Sequence, residues 1–277
     1  MTENTITAGY TLTRFSKMFK IADISNDIVT ASNEENAKQI HETQDFYRAP
    51  IINDSDNIEE YYDSNEKSTD KIKKIDTSDL ISESTGILET LNYLAKKHFY
   101  FILNGNRIRH IVHYPDFNNP IVLPGIYTQI AYCEIAIRDY ARAKNKYGNI
   151  DSGIEKLLLD INANSAGLKI DIGRAKKQLI NKRKNQIETN LFDELYFDEE
   201  LILFIGLSTL FNKERFKEFK KDVNLNDITI ESYKTLRNDI IHSNYQIIEK
   251  QSHDIKELAA FIETCQKIIS YIERMFE

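Results

Sequence analysis

An α+β N-terminal half followed by an all-α C-terminal half is the fold class that this 277-residue chain predicts. Three observations carry it. Two segments of the first half, DIVTASNEENAKQIHETQDFYRAPIIND from Asp27 and DLISESTGILETLNYLAKKHFYFILNGN from Asp79, repeat one order of features. The pattern changes at Pro120 to Pro124, from short β-type runs between helical stretches to almost continuous helical spacing. Beyond that point apolar residues recur at three-four spacing, which lines them up on one face of each helix.

Residues 1–20 form an N-terminal segment, and the repeat region spans 21–120. Each repeat has a polar opening, a helical stretch, an aromatic pair (Phe46-Tyr47, Phe99-Tyr100) and an apolar strand. The strands end in turn residues, Asn53-Asp54 and Asn104-Gly105. A further strand follows in the second repeat, RIRHIVHYPDF, with Ile108, Ile111 and Val112 as its apolar members. Its Arg107, Arg109, His110 and His113 are expected at the surface, because a strand does not converge them on one site. The aromatic-pair offset carried forward aligns Asp116 with Asp63. Internal symmetry of this kind predicts two copies of one supersecondary unit packed together.

The helical half spans 124–277, and Pro124 suits a first helical turn. Ile126, Ile130, Cys133, Ile137 and Tyr140 define one face of a helix ending near Gly148. Glu134 lies at the edge of that stripe, as an acid satisfied by a nearby cation or as a carboxylate that orients Arg237. A short apolar helix over Ile154–Ile161 precedes LKIDIGRAKKQLINKRKN, which gathers Lys169, Arg174, Lys176, Lys177, Lys182, Arg183 and Lys184 against Asp171. That run is a solvated helix face or a track for backbone phosphates. FDEELILFIGLSTLF reads as an acid-capped helix that is buried. In NDITIESYKTLRNDIIHSNY, Asn226 or Asp227 caps a helix whose buried side is Ile230, Tyr233, Leu236, Ile240 and Ile241. The last helix carries Ile255, Leu258, Ile262, Cys265, Ile269, Ile272 and Phe276, widened by Phe261, Ile268 and Met275. So wide a seam is expected to serve a dimer as well.

The net charge of −7 is uneven. Residues 1–80 hold 16 acidic and 9 basic side chains, and the rest hold 27 of each, so an acidic chain does not exclude nucleic acid as a partner of the second half. Cys133 and Cys265 lack metal-ligand spacing, and no metal or other cofactor is expected. Without a signal-like segment or an apolar run long enough to span a bilayer, a cytoplasmic protein with no membrane partner is expected.

The chemistry concentrates in LRNDIIHSNY, Leu236 to Tyr245. Arg237 stays cationic and reaches two phosphoryl oxygens at once. His242 exchanges a proton at neutral pH. Asn238 and His242 are four apart and share a face, whereas Arg237 lies about 140° around the helix from His242. The arginine must therefore reach around or act on a symmetry mate.

The repeat region resembles a tandem pair of CBS domains. In that family the second strand runs into a threonine, followed three residues later by an aspartate that holds the ribose of an adenine nucleotide. Asp116 stands in the aspartate position, but His113 replaces the threonine, and the first repeat has Glu60 and Asp63. The resemblance implies either a nucleotide-sensing pair or a purely structural one. The helical half, with Arg237, Asn238 and His242 in R-N-x-x-x-H order, resembles the HEPN superfamily of α-helical bundles. Leu236 and the Ile240-Ile241 pair also fit, and Glu134 stands where many members have an acid. Tyr245 follows His242 by three, where one toxin subgroup has a tyrosine after two. IVHYPDFNNPIVLPGIYTQIAYCEIAIRDY resembles the junction of bacterial proteins that join a CBS-like pair to such a bundle.

The HEPN resemblance implies a metal-independent RNA endonuclease in a toxin or antiviral-defence setting. Its site would be made by Arg237 and His242 from two protomers of a homodimer, with Asn238 positioning and Glu134 and Tyr245 in support. RNA would run along Lys176, Lys177, Lys182, Arg183 and Lys184, and a neutralising protein partner is implied. The alternative is a non-catalytic dimer that binds RNA or a protein, with or without nucleotide sensing.

Overall fold

The computed structural model describes residues 19–44, 47–53, 57–165, 167–242 and 254–276. They divide into two compact units, and the boundary falls between Val122 and Leu123.

The first unit is α+β. Its first copy holds β1 (Asn26–Asp27), α1 (Glu34–Gln44), β2 (Arg48–Ile52) and β3 (Ile58–Asp63), followed by β4 (Ile72–Lys74). Its second copy holds β5 (Leu80–Ser82), α2 (Ile87–Leu94), β6 (Phe99–Asn104) and β7 (Arg107–His113). The sequence repeat is a repeat of pairing. Ala31 makes a parallel bridge to Ile51 across α1, and β2 turns back into antiparallel β3. Likewise β5 runs parallel to β6 across α2, and β6 turns back into antiparallel β7. Both hairpins shift register near their tips, at Ile51/Ile52 and Ile102/Leu103. Pro50, which has no N–H to donate, sits on the edge strand of the sheet β2-β3-β4.

The opening segment of the first copy crosses to the second. β1 belongs to the other sheet, ordered β1-β7-β6-β5, through Asn26↔Ile111 and Asp27↔His110. Just before it, the Ile21 N–H donates to the Thr85 carbonyl at 2.9 Å, and Lys20 bridges to Gly86. Tyr61 also crosses over, packing edge-on against Phe99 and Phe101 at 5.5 and 5.4 Å between centroids. One correction to the sequence reading concerns His113. It is not a surface residue of β7: its ring is tilted against Phe99, and burial, with Arg48 nearby, lowers its pKa to about 4.

The second unit is helical. Among the described residues its α-helices are α3 (Val122–Lys144), α4 (Asp151–Asn164), α5 (Ile172–Lys184), α6 (Phe197–Phe211), α7 (Lys213–Asp222), α8 (Asp227–Ile241) and α9 (Ile255–Glu273). Pro124 falls in the first turn of α3, where no intrahelical N–H is required. The stripe Ile126, Ile130, Cys133, Ile137 and Tyr140 is fully buried. α3 ends at Lys144, and the chain turns at Gly148, whose φ of +84° suits glycine.

α6 is buried almost all round, its acids included: Asp198, Glu199 and Glu200 lie among the buried residues. Each acid has a basic partner, Lys234 at 3.0 Å for Asp198, Arg174 for Glu199 and Arg138 at 2.5 Å for Glu200. Phe204 sits at the centre of an aromatic cluster with Tyr140, Phe216, Phe219 and Tyr271. α7 has no counterpart in the sequence reading, because Phe216 and Phe219 are the only apolar residues between its first and last charges. The wide seam of α9 is used inside the chain, where Phe261 packs on Phe197 at 5.5 Å and on Tyr233 at 4.8 Å. Its width therefore gives no argument for a dimer.

α4 and α6 approach closely at Gly206, where a Cβ would lie 2.6 Å from the Ile161 Cγ2. That methyl is on a β-branched side chain with little rotamer freedom. Gly206→Ala is expected to cost about 1–3 kcal/mol, read as a lower urea midpoint with an unchanged slope. No helix among the described residues is long and apolar enough to cross a membrane.

Candidate functional site

α8 carries the motif. Asn226 caps it by accepting the Thr229 N–H at 2.9 Å. Ile230, Tyr233, Leu236 and Ile240 are buried, and Ile241 is half-buried. The Tyr233 hydroxyl lies 3.1 Å from that of Thr264 on α9, which fixes the rotation of the helix about its axis. With Leu236 wholly inside, Arg237 falls at the edge of the buried face and turns toward α3.

There Glu134 receives it. Arg237 Nε donates to Glu134 Oε1 at 3.1 Å, and Nη2 lies 3.1 Å from the same oxygen. Arg237 Nη1 donates to Asn238 Oδ1 at 3.3 Å. All three nitrogens of the guanidinium are thus engaged, while about a quarter of the side chain stays accessible, 26%. Glu134 has a second cation, Arg138, one turn along α3, whose Nη2 is 3.7 Å from Oε2. Arg138 Nε in turn donates to Glu200 Oε1 at 2.5 Å. Glu200 is completely buried, and among the described residues its Oε2 has no hydrogen-bond partner. Burial pushes its carboxyl well above the usual carboxylate range, against the pull of Arg138. Two arginines and two glutamates therefore alternate in the order Arg237, Glu134, Arg138, Glu200.

His242 caps the C-terminal end of α8 and is exposed, with its backbone N–H on the Asn238 carbonyl at 2.9 Å. The structure brings Arg237, Asn238 and Glu134 together and leaves the imidazole standing at the end of the helix. Tyr245 lies outside the described residues.

The basic helix α5 is less free than its composition suggests. Lys176 pairs with Glu155 at 2.9 Å, Lys182 with Glu194 at 3.1 Å and Arg183 with Asp151 at 2.5 Å. Lys177 and Lys184 are exposed and form no ion pair among the described residues.

In the first unit a cleft of about 1220 Å³ opens between the two copies. Its lining includes both hairpin tips and charges of both signs, among them Asp27, Glu60, Lys74, Arg107 and Arg109. Asp116 is not part of that lining. Its carboxylate accepts the His113 N–H at 2.7 Å and the Asn26 side chain at 2.9 Å, capping the short helical turn Tyr114–Asn118. Asp63 does the same kind of work in the first copy, accepting the Asn65 N–H at 3.0 Å beside Arg48.

Arg138 and Glu200 are site residues that the sequence reading missed. Arg138 had a signal, since a Glu followed four residues later by an Arg pairs on a helix face. Glu200 had none, because an acid in a first turn ordinarily serves the helix dipole from outside. Neither the protein-family models nor the curated proteins contain a match to this chain.

Proposed function

We propose that the helical unit is a metal-independent RNA endonuclease of the HEPN type, preceded by a CBS-like pair that regulates or braces it. The observation that carries this reading is the partly exposed Arg237, held by Glu134 and Asn238 with about a quarter of its side chain accessible to a phosphate, 26%. His242 of one copy takes the proton from a ribose 2′-hydroxyl, whose oxygen attacks the adjacent phosphorus. His242 of a second copy gives a proton to the departing 5′-oxygen. Arg237 offsets the extra negative charge of the transition state, and Asn238 holds the arginine. The products are a 2′,3′-cyclic phosphate and a 5′-hydroxyl. Total RNA incubated with the purified protein in EDTA tests this: new ends of that type support it, and intact RNA refutes it.

The composite site requires two copies. Light scattering at micromolar concentration is expected to return the mass of a dimer, and a monomer would remove the second histidine from the mechanism.

A second reading, a dimer that binds RNA or a protein without cutting, draws support from the acids that already neutralise Lys176, Lys182 and Arg183. Both readings place RNA near Lys177 and Lys184. Replacing both by alanine is expected to flatten the slope of log K against log salt by about 1.4, at roughly 0.7 per single-strand phosphate contact. Lys176→Ala is expected to change the slope less, because Glu155 already holds that charge.

A further inference from the structure

Glu200 is hard to explain by stability. A buried ion pair is often replaceable by apolar residues of similar size without loss, and this carboxylate keeps one oxygen unpaired among the described residues. What it does is hold Arg138. Glu134 and Arg138 are four apart on α3, with the acid on the N-terminal side, the orientation in which such pairs close on a helix. Yet their closest contact is 3.7 Å, because the Arg138 Nε is drawn to Glu200 at 2.5 Å. Glu134 Oε1 is thereby left to take both Nε and Nη2 of Arg237.

We propose that Glu200 is a positioning residue that draws Arg138 back from closer contact with Glu134 and so leaves Glu134 Oε1 to Arg237. This rests on reading Arg237 as the phosphate-binding group. Glu200 itself is sealed from solvent and touches no substrate; it acts through two intermediaries. Without its hold on Arg138 Nε, one carboxylate would face two guanidiniums, and the partner on its own helix would compete for it. The charged groups around Glu200 are Arg138 and Glu134 from α3 and Arg237 from α8, with Cys133 of α3 beside it. The Cys133 thiol, held well above the usual thiol range by its contact with Cys265 and by burial, brings no competing charge.

The test reads Arg237 directly. Its Nε–H resonance in the full-length protein, assigned by its loss in Arg237→Lys, reports the Glu134 contact through hydrogen exchange. In Glu200→Gln, verified as folded by circular dichroism, exchange at that Nε–H is expected to quicken by about tenfold as the pair opens. Adding Arg138→Met removes the competitor and is expected to restore parental exchange, which a merely structural role for Glu200 would not do at this one proton. RNA cleavage should follow the same pattern, with kcat falling about tenfold or more in Glu200→Gln, KM staying within about twofold, and recovery in the double variant. Unchanged exchange in folded Glu200→Gln, or no recovery in the double variant, overturns the proposal. If the parent protein cuts no RNA, the endonuclease reading fails and the exchange measurement alone decides the positioning role. If Glu200→Gln does not fold, the apolar pair Glu200→Leu with Arg138→Met is read instead: parental exchange at Arg237 supports the proposal and lost protection overturns it.

Discussion

His242→Ala is expected to lower RNA cleavage by about 10²–10⁴-fold, the span that a positioned proton donor or acceptor contributes. The residue caps α8 and is exposed, so its imidazole supports no packing that the substitution would destroy. Melting temperature and oligomeric state are therefore expected to match the parent. Arg237→Ala should also lose about 10²–10³-fold, as removal of a donor aimed at developing charge does elsewhere. Its structural effect is less neutral, because Glu134 would be left with Arg138 alone. A gel assay on a defined RNA, run beside thermal melts of both variants, separates the two effects. If His242→Ala cuts as fast as the parent, the site lies elsewhere and the binding reading takes over.

Phe204→Ala is expected to have the largest effect on stability. Phe204 is fully buried at the meeting point of Tyr140, Phe216, Phe219 and Tyr271, with ring centroids 5.5–6.5 Å away. Truncating it empties a space that side chains from α3, α7 and α9 cannot all fill. Such a deletion costs about 3–5 kcal/mol, equivalent to a fall of roughly 6–20 °C in melting temperature for a domain of this size. A fall of less than about 2 °C in a calorimetric scan would mean that the cluster collapses around the gap.

Periodicity read the helices well wherever an apolar stripe spans several turns. The α3 stripe is buried at every position named from sequence, and of Asn226 and Asp227 it is Asn226 that caps α8. α7 escaped because its two phenylalanines are outnumbered by charges, and burial there depends on Phe204 and Tyr271 being nearby. The repeat was legible as an order of elements, but not the crossing of β1, since a two-residue strand has no periodicity and the partner of Asn26 is 85 positions away at Ile111. At the site, the adjacency of Arg237 and Asn238 and the helical phase of Glu134 are local facts. The Arg138–Glu200 pair is not, because it depends on how α6 is rotated against α3. The basic run misled in a similar way: sequence shows its charges, whereas the acids that neutralise them come from α4 and from the turn before α6.

The crossing of the opening segment has a consequence for how the first unit comes apart. Neither copy is a complete module, because residues 20–27 are covalently part of one copy and hydrogen-bonded to the other. Melting the first copy strips β1 from its neighbour's sheet and bares the edge of β7. The unit is thus locked like a clasp, with no stable half-open form, and its amides on both sides should lose protection in one step. A boundary drawn between the copies, near residue 76, would release two sticky fragments in place of two small domains.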